Sequence, residues 1–210
     1  MENGAITDAY RAPEWNENKT NAAFAWKDII VDGAPKKLIN ISVAGTQSMP
    51  MDWVRDFWAV NDSEGLHKGF ADNEKVIRNV ESRIKFPNLG GLSLADIYNR
   101  ITSGNGSEYL IFVNGHSLGA AVANIYAHNL YQRGITDNYL AGYTFATPIT
   151  ASWSYSGIST DVEPIFNVIN DHDLVTHAGA GAKVKEASAF IGSLVDRLFL
   201  HFCGMKCLCR

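Results

Sequence analysis

The sequence predicts an α/β protein, a mostly parallel sheet with helices on its faces, and three observations carry that reading. Short runs rich in β-branched and aromatic residues recur along the chain, segments of helical period lie between them, and Gly, Pro, Asn and Asp close most of the runs. Strand and helix in alternation favour parallel strands joined by helical crossovers, with the ligand site at the carboxyl ends of the strands.

The elements follow in chain order. Lys37 to Ala44 reads as a strand ended by Gly45, and Leu110 to Val113 as a short, strongly apolar strand ended by Asn114-Gly115. Leu140 to Phe145 is closed by Thr147-Pro148, and Ile165 to Ile169 by Asn170-Asp171. Between the first two strands Phe70, Val76, Ile77, Val80 and Ile84 recur at helical spacing. After the second, Ala120 to Tyr131 is a run rich in Ala, with Val, Ile and Leu and no Gly or Pro, a helical pattern.

Composition bounds the function. With 210 residues, 46% hydrophobic and 19% charged, the chain is expected to form one domain over residues 1–210. The balance of 18 basic against 22 acidic side chains gives a net charge of -4, and no basic block offers a nucleic acid enough phosphate partners. No apolar run reaches the roughly 18 residues of a membrane span, and the polar start Met1-Glu2-Asn3-Gly4 has no export signal, so a cytoplasmic location is expected. All three cysteines, Cys203, Cys207 and Cys209, lie in the last eight residues and cannot staple the core.

The chemistry-bearing motif is Gly115-His116-Ser117-Leu118-Gly119, placed between the apolar strand and the Ala-rich helix. A serine on so sharp a strand-to-helix turn has its hydroxyl thrust out of the sheet, and flanking glycines let backbone pass where a Cβ would clash. The Leu118 N–H, at the start of the helix, can then stabilise a developing oxyanion with a second donor. The plainer role for Ser117 is to cap that helix.

Five blocks in one order resemble the class 3 lipase family of the α/β-hydrolases, over about Ala22 to Val175. Phe24-Ala25-Trp26, the strand into Val43-Ala44-Gly45-Thr46, and Asp52-Trp53 with Asp56 are similar to the family's oxyanion block. His67-Lys68-Gly69-Phe70 is similar to its next block, and Gly115 to Ala120 to its nucleophile elbow. Tyr143 to Pro148 resembles the strand after the elbow, and Asn170 through Val175 the acid segment. The chain departs from the family pattern at Ala44, at Ala120 and at Leu174-Val175-Thr176, where the family tends to have arginine, a third glycine and a proline after the valine. The resemblance implies an α/β-hydrolase fold. With 210 - 173 = 37 residues after the acid candidate, that fold is expected to be compact and short at its carboxyl end.

The resemblance assigns roles residue by residue. Thr46, after Gly45 at a strand end, is the second oxyanion donor beside Leu118. Met49, Met51, Trp53, Val54, Phe57 and Trp58 crowd into ten residues, with Trp53/Phe57 and Val54/Trp58 one helical turn apart. The family has a mobile lid there, while the apolar face alone equally suits a helix packed on the core. In the chain order Ser, acid, His, the pattern Asn-x-x-Asp-x-Val falls on Asn170, Asp173 and Val175, so Asp173 is the acid and Asp171 the reserve. His67 and His128 precede the acid, His116 sits inside the elbow and His172 lies between the two aspartates, which leaves His177 and His201. His201, 28 residues past Asp173, is favoured because the interval admits a helix. It also shares a helical face with Leu194 and Leu198, the pattern of a core histidine.

The function expected is a serine hydrolase cleaving carboxylic esters of lipids through an acyl-enzyme on Ser117, with Ser117, Asp173 and His201 as the triad. Its partners would be a lipid or ester substrate and, transiently, lipid surfaces. No cofactor or metal is expected. Two alternatives stand beside it: a lipase-like domain that binds lipid or protein without a working base, and a zinc site at the tail from His201, Cys203, Cys207 and Cys209. Related lipases are often exported, which sets the family's habit against the cytoplasmic expectation.

Overall fold

The structure, a computed structural model, describes residues 6–11, 20–45, 65–151, 164–169 and 174–177. Its centre is a six-stranded sheet of β1 (Ile6–Arg11), β2 (Asn21–Val31), β3 (Ala34–Val43), β6 (Tyr109–His116), β7 (Leu140–Phe145) and β8 (Ile165–Val168), in that spatial order. A two-stranded ribbon, β4 (Lys85–Phe86) with β5 (Leu92–Ser93), stands apart from it. β1, β2 and β3 are antiparallel neighbours, while β3, β6, β7 and β8 run parallel, as the strand and helix alternation predicts. The architecture is a mostly parallel central sheet with helices packed on it.

The β2–β3 connection is a two-residue hairpin at Asp32-Gly33, with φ of 51° and 79° and Val31 opposite Ala34. Left-handed backbone at both positions matches the twist of the flanking strands, and Asp-Gly tolerates it best. β6 runs three residues beyond the strand expected from its apolar run. Asn114 and Gly115 pair with Ser42 and Val43 on one side and with Tyr143 and Thr144 on the other. In a central strand this double pairing outweighs the turn preference of Asn-Gly.

Alternation sorts the sheet into two faces. Phe24, Ile39, Ile41, Val43, Ile111, Val113 and Leu140 share the buried one and join a single core with the helices. Burying each large side chain in that set stabilises the fold by about 1.5–3 kcal/mol. Helix α1 (Lys68–Arg78) adds Phe70 and Ile77. Its apolar pattern continues to Val80 and Ile84, which stay buried in the turns that follow the helix. Helix α2 (Leu94–Thr102) opens on a capping box, Ser93 accepting from the Asp96 N–H while Asp96 accepts from the Ser93 N–H, and buries Leu94, Ile97, Tyr98 and Ile101. Helix α3 (Leu118–Gln132) packs on β6 and β7 and against α1, and its Ala120, Ala121, Ala123 and Ala127 are buried.

A polar chain ties the far end of α3 to the segment after α1. Arg133 holds the buried Glu81 through two bonds of 2.9 and 3.0 Å. The Tyr126 hydroxyl donates to the same carboxylate at 2.9 Å, so the Tyr98 hydroxyl, 2.8 Å away, donates to Tyr126. Burial pushes the pKa of both tyrosine hydroxyls well above the ordinary value, so both stay neutral. On the opposite face of the sheet Tyr143 stacks on Phe166 at 5.1 Å, with Phe112 at 6.1 Å from Tyr143.

Candidate active site

Four parallel strands end in one row. The register sets Val43 beside Gly115, Gly115 beside Thr144 and Thr144 beside Asn167, so the carboxyl ends of β3, β6, β7 and β8 lie side by side. Ser117 stands just past this row, between the last residue of β6 and the first of α3.

Its backbone is strained. Ser117 has φ 57° and ψ -127°, the mirror image of the extended region, which side-chain-bearing residues avoid at a cost of about 1–3 kcal/mol. Three backbone bonds hold it there. The Ser117 N–H donates to the Phe145 carbonyl at 2.9 Å, and the Ser117 carbonyl accepts from the N–H groups of Ala120 at 2.9 Å and Ala121 at 3.2 Å. The side chain makes no capping bond to the helix, so the plainer role open to this serine is not the one it takes. Leu118 is the first residue of α3, and its N–H has no acceptor within the helix.

The two glycines of the motif are required by space. A Cβ on Gly115 would meet the Gly119 carbonyl oxygen at 2.3 Å, and one on Gly119 would meet the Val43 carbonyl oxygen at 2.3 Å. Neither contact is tenable, so the elbow can form only where both positions lack side chains. Gly45 completes the junction. Its own Cβ position lies 3.0 Å from the His116 carbonyl oxygen and 3.8 Å from the Ser117 Cβ, which sets the end of the β3 loop against the elbow. The His116 side chain is exposed, whereas Ser117 is 8% exposed.

Of the residues singled out from the sequence, Ser117 and Leu118 lie within this geometry. Thr46 follows Gly45 immediately and, like Asp171, Asp173, His201 and the apolar cluster Met49 to Trp58, lies outside the described residues. So do Cys203, Cys207 and Cys209. His177 ends the short turn Leu174–His177, in which Val175 packs on the core. Both candidate acids fall in the sequence between β8 and this turn. Among the described residues no group of three or more His, Cys, Asp or Glu could hold a metal ion, and no described helix is long and apolar enough to cross a membrane.

One polar cluster beside the row is not evident from sequence. The Asn167 Oδ1 on β8 accepts from Asn124 Nδ2 of α3 at 2.7 Å, from Thr144 Oγ1 of β7 at 2.5 Å and from Thr147 Oγ1 at 3.1 Å. Thr147 Oγ1 also lies 2.9 Å from Thr144 Oγ1. No spacing in the chain links these four residues, and only the strand register assembles them.

Comparison with known proteins places this geometry. The family model described as Lipase (class 3) matches residues 41–182. A lipase of Rhizomucor miehei is 28% identical over 169 residues, spanning 72% of this chain and 42% of that protein. A triacylglycerol lipase structure, described as having a catalytic centre formed by a serine protease triad, superposes with a TM-score of 0.61. It is 26% identical, over 84% of this chain and 61% of that one. The mono- and diacylglycerol lipase of Aspergillus oryzae, 22% identical, shares the fold with a TM-score of 0.58, over 82% of this chain and 57% of its own. The chain thus spans less than two thirds of the length of each of these relatives.

Proposed function

Because the chain belongs to the class 3 lipase family, we propose that it is a serine hydrolase that cleaves carboxylic esters of lipids through an acyl-enzyme on Ser117. The observation that carries the reading is the strained, glycine-flanked turn at Ser117, whose hydroxyl the helix does not use as a cap. A protein keeps such strain where the position of one side chain matters to its task.

In this mechanism the Ser117 Oγ attacks the ester carbonyl carbon while its proton passes to His201. The oxyanion is held by the N–H groups of Leu118 and Thr46, the first at the start of α3 and the second one residue past the loop set against the elbow. Collapse of the tetrahedral intermediate expels the alcohol, which takes the proton back from His201 and leaves the acyl group on Ser117. Water, deprotonated by the same imidazole, then attacks the acyl carbon and releases the carboxylic acid and the free serine. Asp173 orients the imidazole and stabilises its protonated form. The family supports a lipid or ester substrate and transient contact with a lipid surface. The whole of 1–210 acts as one domain.

The test is covalent labelling by a fluorophosphonate together with hydrolysis of a short-chain ester. The wild-type protein is expected to label and turn over. Ser117→Ala should abolish labelling, and His201→Ala should slow turnover by about 10³-fold or more. Full activity in His201→Ala would move the base to His177. A folded wild-type protein that neither labels nor hydrolyses would overturn the reading in favour of a lipase-like binding domain.

A further inference from the structure

We infer that Asn124, Thr144, Thr147 and Asn167 are positioning residues that set the acid of the triad against the nucleophile. This rests on the proposed function, in which Asp173, with Asp171 in reserve, supports the base.

β8 is a short and largely exposed strand. Of its four residues, Ile165 packs partly on the core and Phe166 stacks on Tyr143, but Phe166 and Val168 remain 53% and 47% exposed, so apolar burial places the strand only in part. Among the described residues its only strand neighbour is β7. Backbone pairing sets its spacing and register against β7, and side chains add to the resistance of so short a strand to tilting. Here the Asn167 Oδ1 accepts from three other elements: the elbow helix, β7 and the loop after β7. Two of those donors are buried, Thr144 at 1% and Thr147 at 8% exposure, where an unmatched hydroxyl is costly and the paired geometry is correspondingly stiff.

The same elements carry both ends of the reaction. Asn124 sits two turns along the helix that begins after Ser117, and the Ser117 N–H is bonded to the Phe145 carbonyl beside Thr144. The Ala146 N–H, in turn, donates to the Val168 carbonyl at 3.0 Å. Asn167 precedes Asp171 by four residues and Asp173 by six. A shift of β8 away from α3 would displace the start of the segment that, in the proposed function, supplies the acid.

The experiment compares Asn167→Leu and Thr144→Val, which delete an acceptor and a donor at similar volume, with Thr144→Ser, which keeps the hydroxyl. On a soluble short-chain ester the first two should lower kcat by about 10- to 100-fold, the scale of a small misplacement of a catalytic group, with KM nearly unchanged. The acid limb of kcat/KM against pH should move to lower pH, because a base that loses its carboxylate neighbour holds its proton less tightly. Thr144→Ser should restore both. If the folded variants melt earlier but keep kcat and an unmoved acid limb, the cluster is structural only and the proposal is overturned. Should Asn167→Leu not fold, the Val and Ser pair at position 144 decides the question alone. Absence of labelling in the unmutated protein overturns the proposed function itself, a result distinguishable from any behaviour of the variants.

Discussion

Gly119 lies directly under the Val43 carbonyl: a Cβ built on the glycine would stand 2.3 Å from that oxygen. The contact joins the first turn of α3 to the end of β3, so the strand leading to Gly45 and the helix behind Ser117 keep one spacing. Gly119→Ala must push β3 and α3 apart. We expect a loss of roughly 1–3 kcal/mol in chemical unfolding, and fluorophosphonate labelling slowed more than the loss of folded protein explains. Gly115→Ala, which would meet the Gly119 carbonyl at the same distance, should behave alike. An alanine variant with wild-type stability and labelling rate would contradict the packing argument.

Ser117 predicts a trade between strain and function. Its φ and ψ lie in a region that glycine occupies freely, being the mirror image of extended backbone. Ser117→Ala should abolish labelling and leave the strain in place. Ser117→Gly should abolish labelling and raise stability by about 1 kcal/mol, the relief of strain less the added freedom of the unfolded glycine. Equal melting temperatures for the Ala and Gly variants would show that the turn is not strained.

Glu74 supplies a pH dependence. Burial raises its carboxyl above the ordinary value of 4.5, the neighbouring Arg78 and Asn129 offset this in part, and Glu81 adds to it. A carboxyl raised in the folded state favours folding when protonated. Its contribution is therefore fully present below the ordinary carboxyl range and is lost as pH rises through the raised value. Glu74→Gln should melt higher than wild type at pH 8, with the gap closing toward pH 4. The ion pair it sacrifices, with the 42% exposed Arg78 side chain, is worth little. A gap that widens on acidification would reverse the sign and sink the assignment.

The chain from Arg133 through Glu81 and Tyr126 to Tyr98 should be cooperative. Tyr126→Phe leaves Tyr98 without an acceptor and Glu81 without one donor, for a cost of about 1–3 kcal/mol. Tyr98→Phe removes only a terminal donor and should cost less. The double variant should cost less than the sum of the two, which denaturant unfolding of the four proteins in the cycle would measure. Strict additivity would mean that the hydroxyls act independently.

Much of the fold can be read along the chain because it depends on local period and local punctuation. The strands ending at Val43, Phe145 and Val168 and the buried helix after Ser117 appear in the sequence within a few residues of their observed bounds. The hairpin at Asp32-Gly33 and the helix opened by Ser93 and Asp96 also carry local signals, a two-residue turn and a capping box, although neither belongs to a conspicuous apolar run. The extension of β6 through Asn114 and Gly115 had no such signal, since pairing with strands on both sides overrode the residues' own preference.

The site divides along the same line. The nucleophile is legible from Gly115-His116-Ser117-Leu118-Gly119 because its geometry is local: both glycines and the serine lie within five residues, and a turn this sharp admits few other sequences. Why those glycines are compulsory is not local, since Gly119 answers to Val43, 76 residues away by 119 - 43. The cluster around Asn167 is further still from anything a pattern could reveal. Its members come from α3, β7, the following loop and β8, and they meet only because the sheet register sets Thr144 beside Asn167 and α3 lies across both. Sequence alone determined which residue types stand at the turn and in what order along the chain. Tertiary structure decided which distant carbonyl leaves no room for a side chain, and which amide oxygen gathers three donors, because such contacts depend on the pairing of strands rather than on spacing along them.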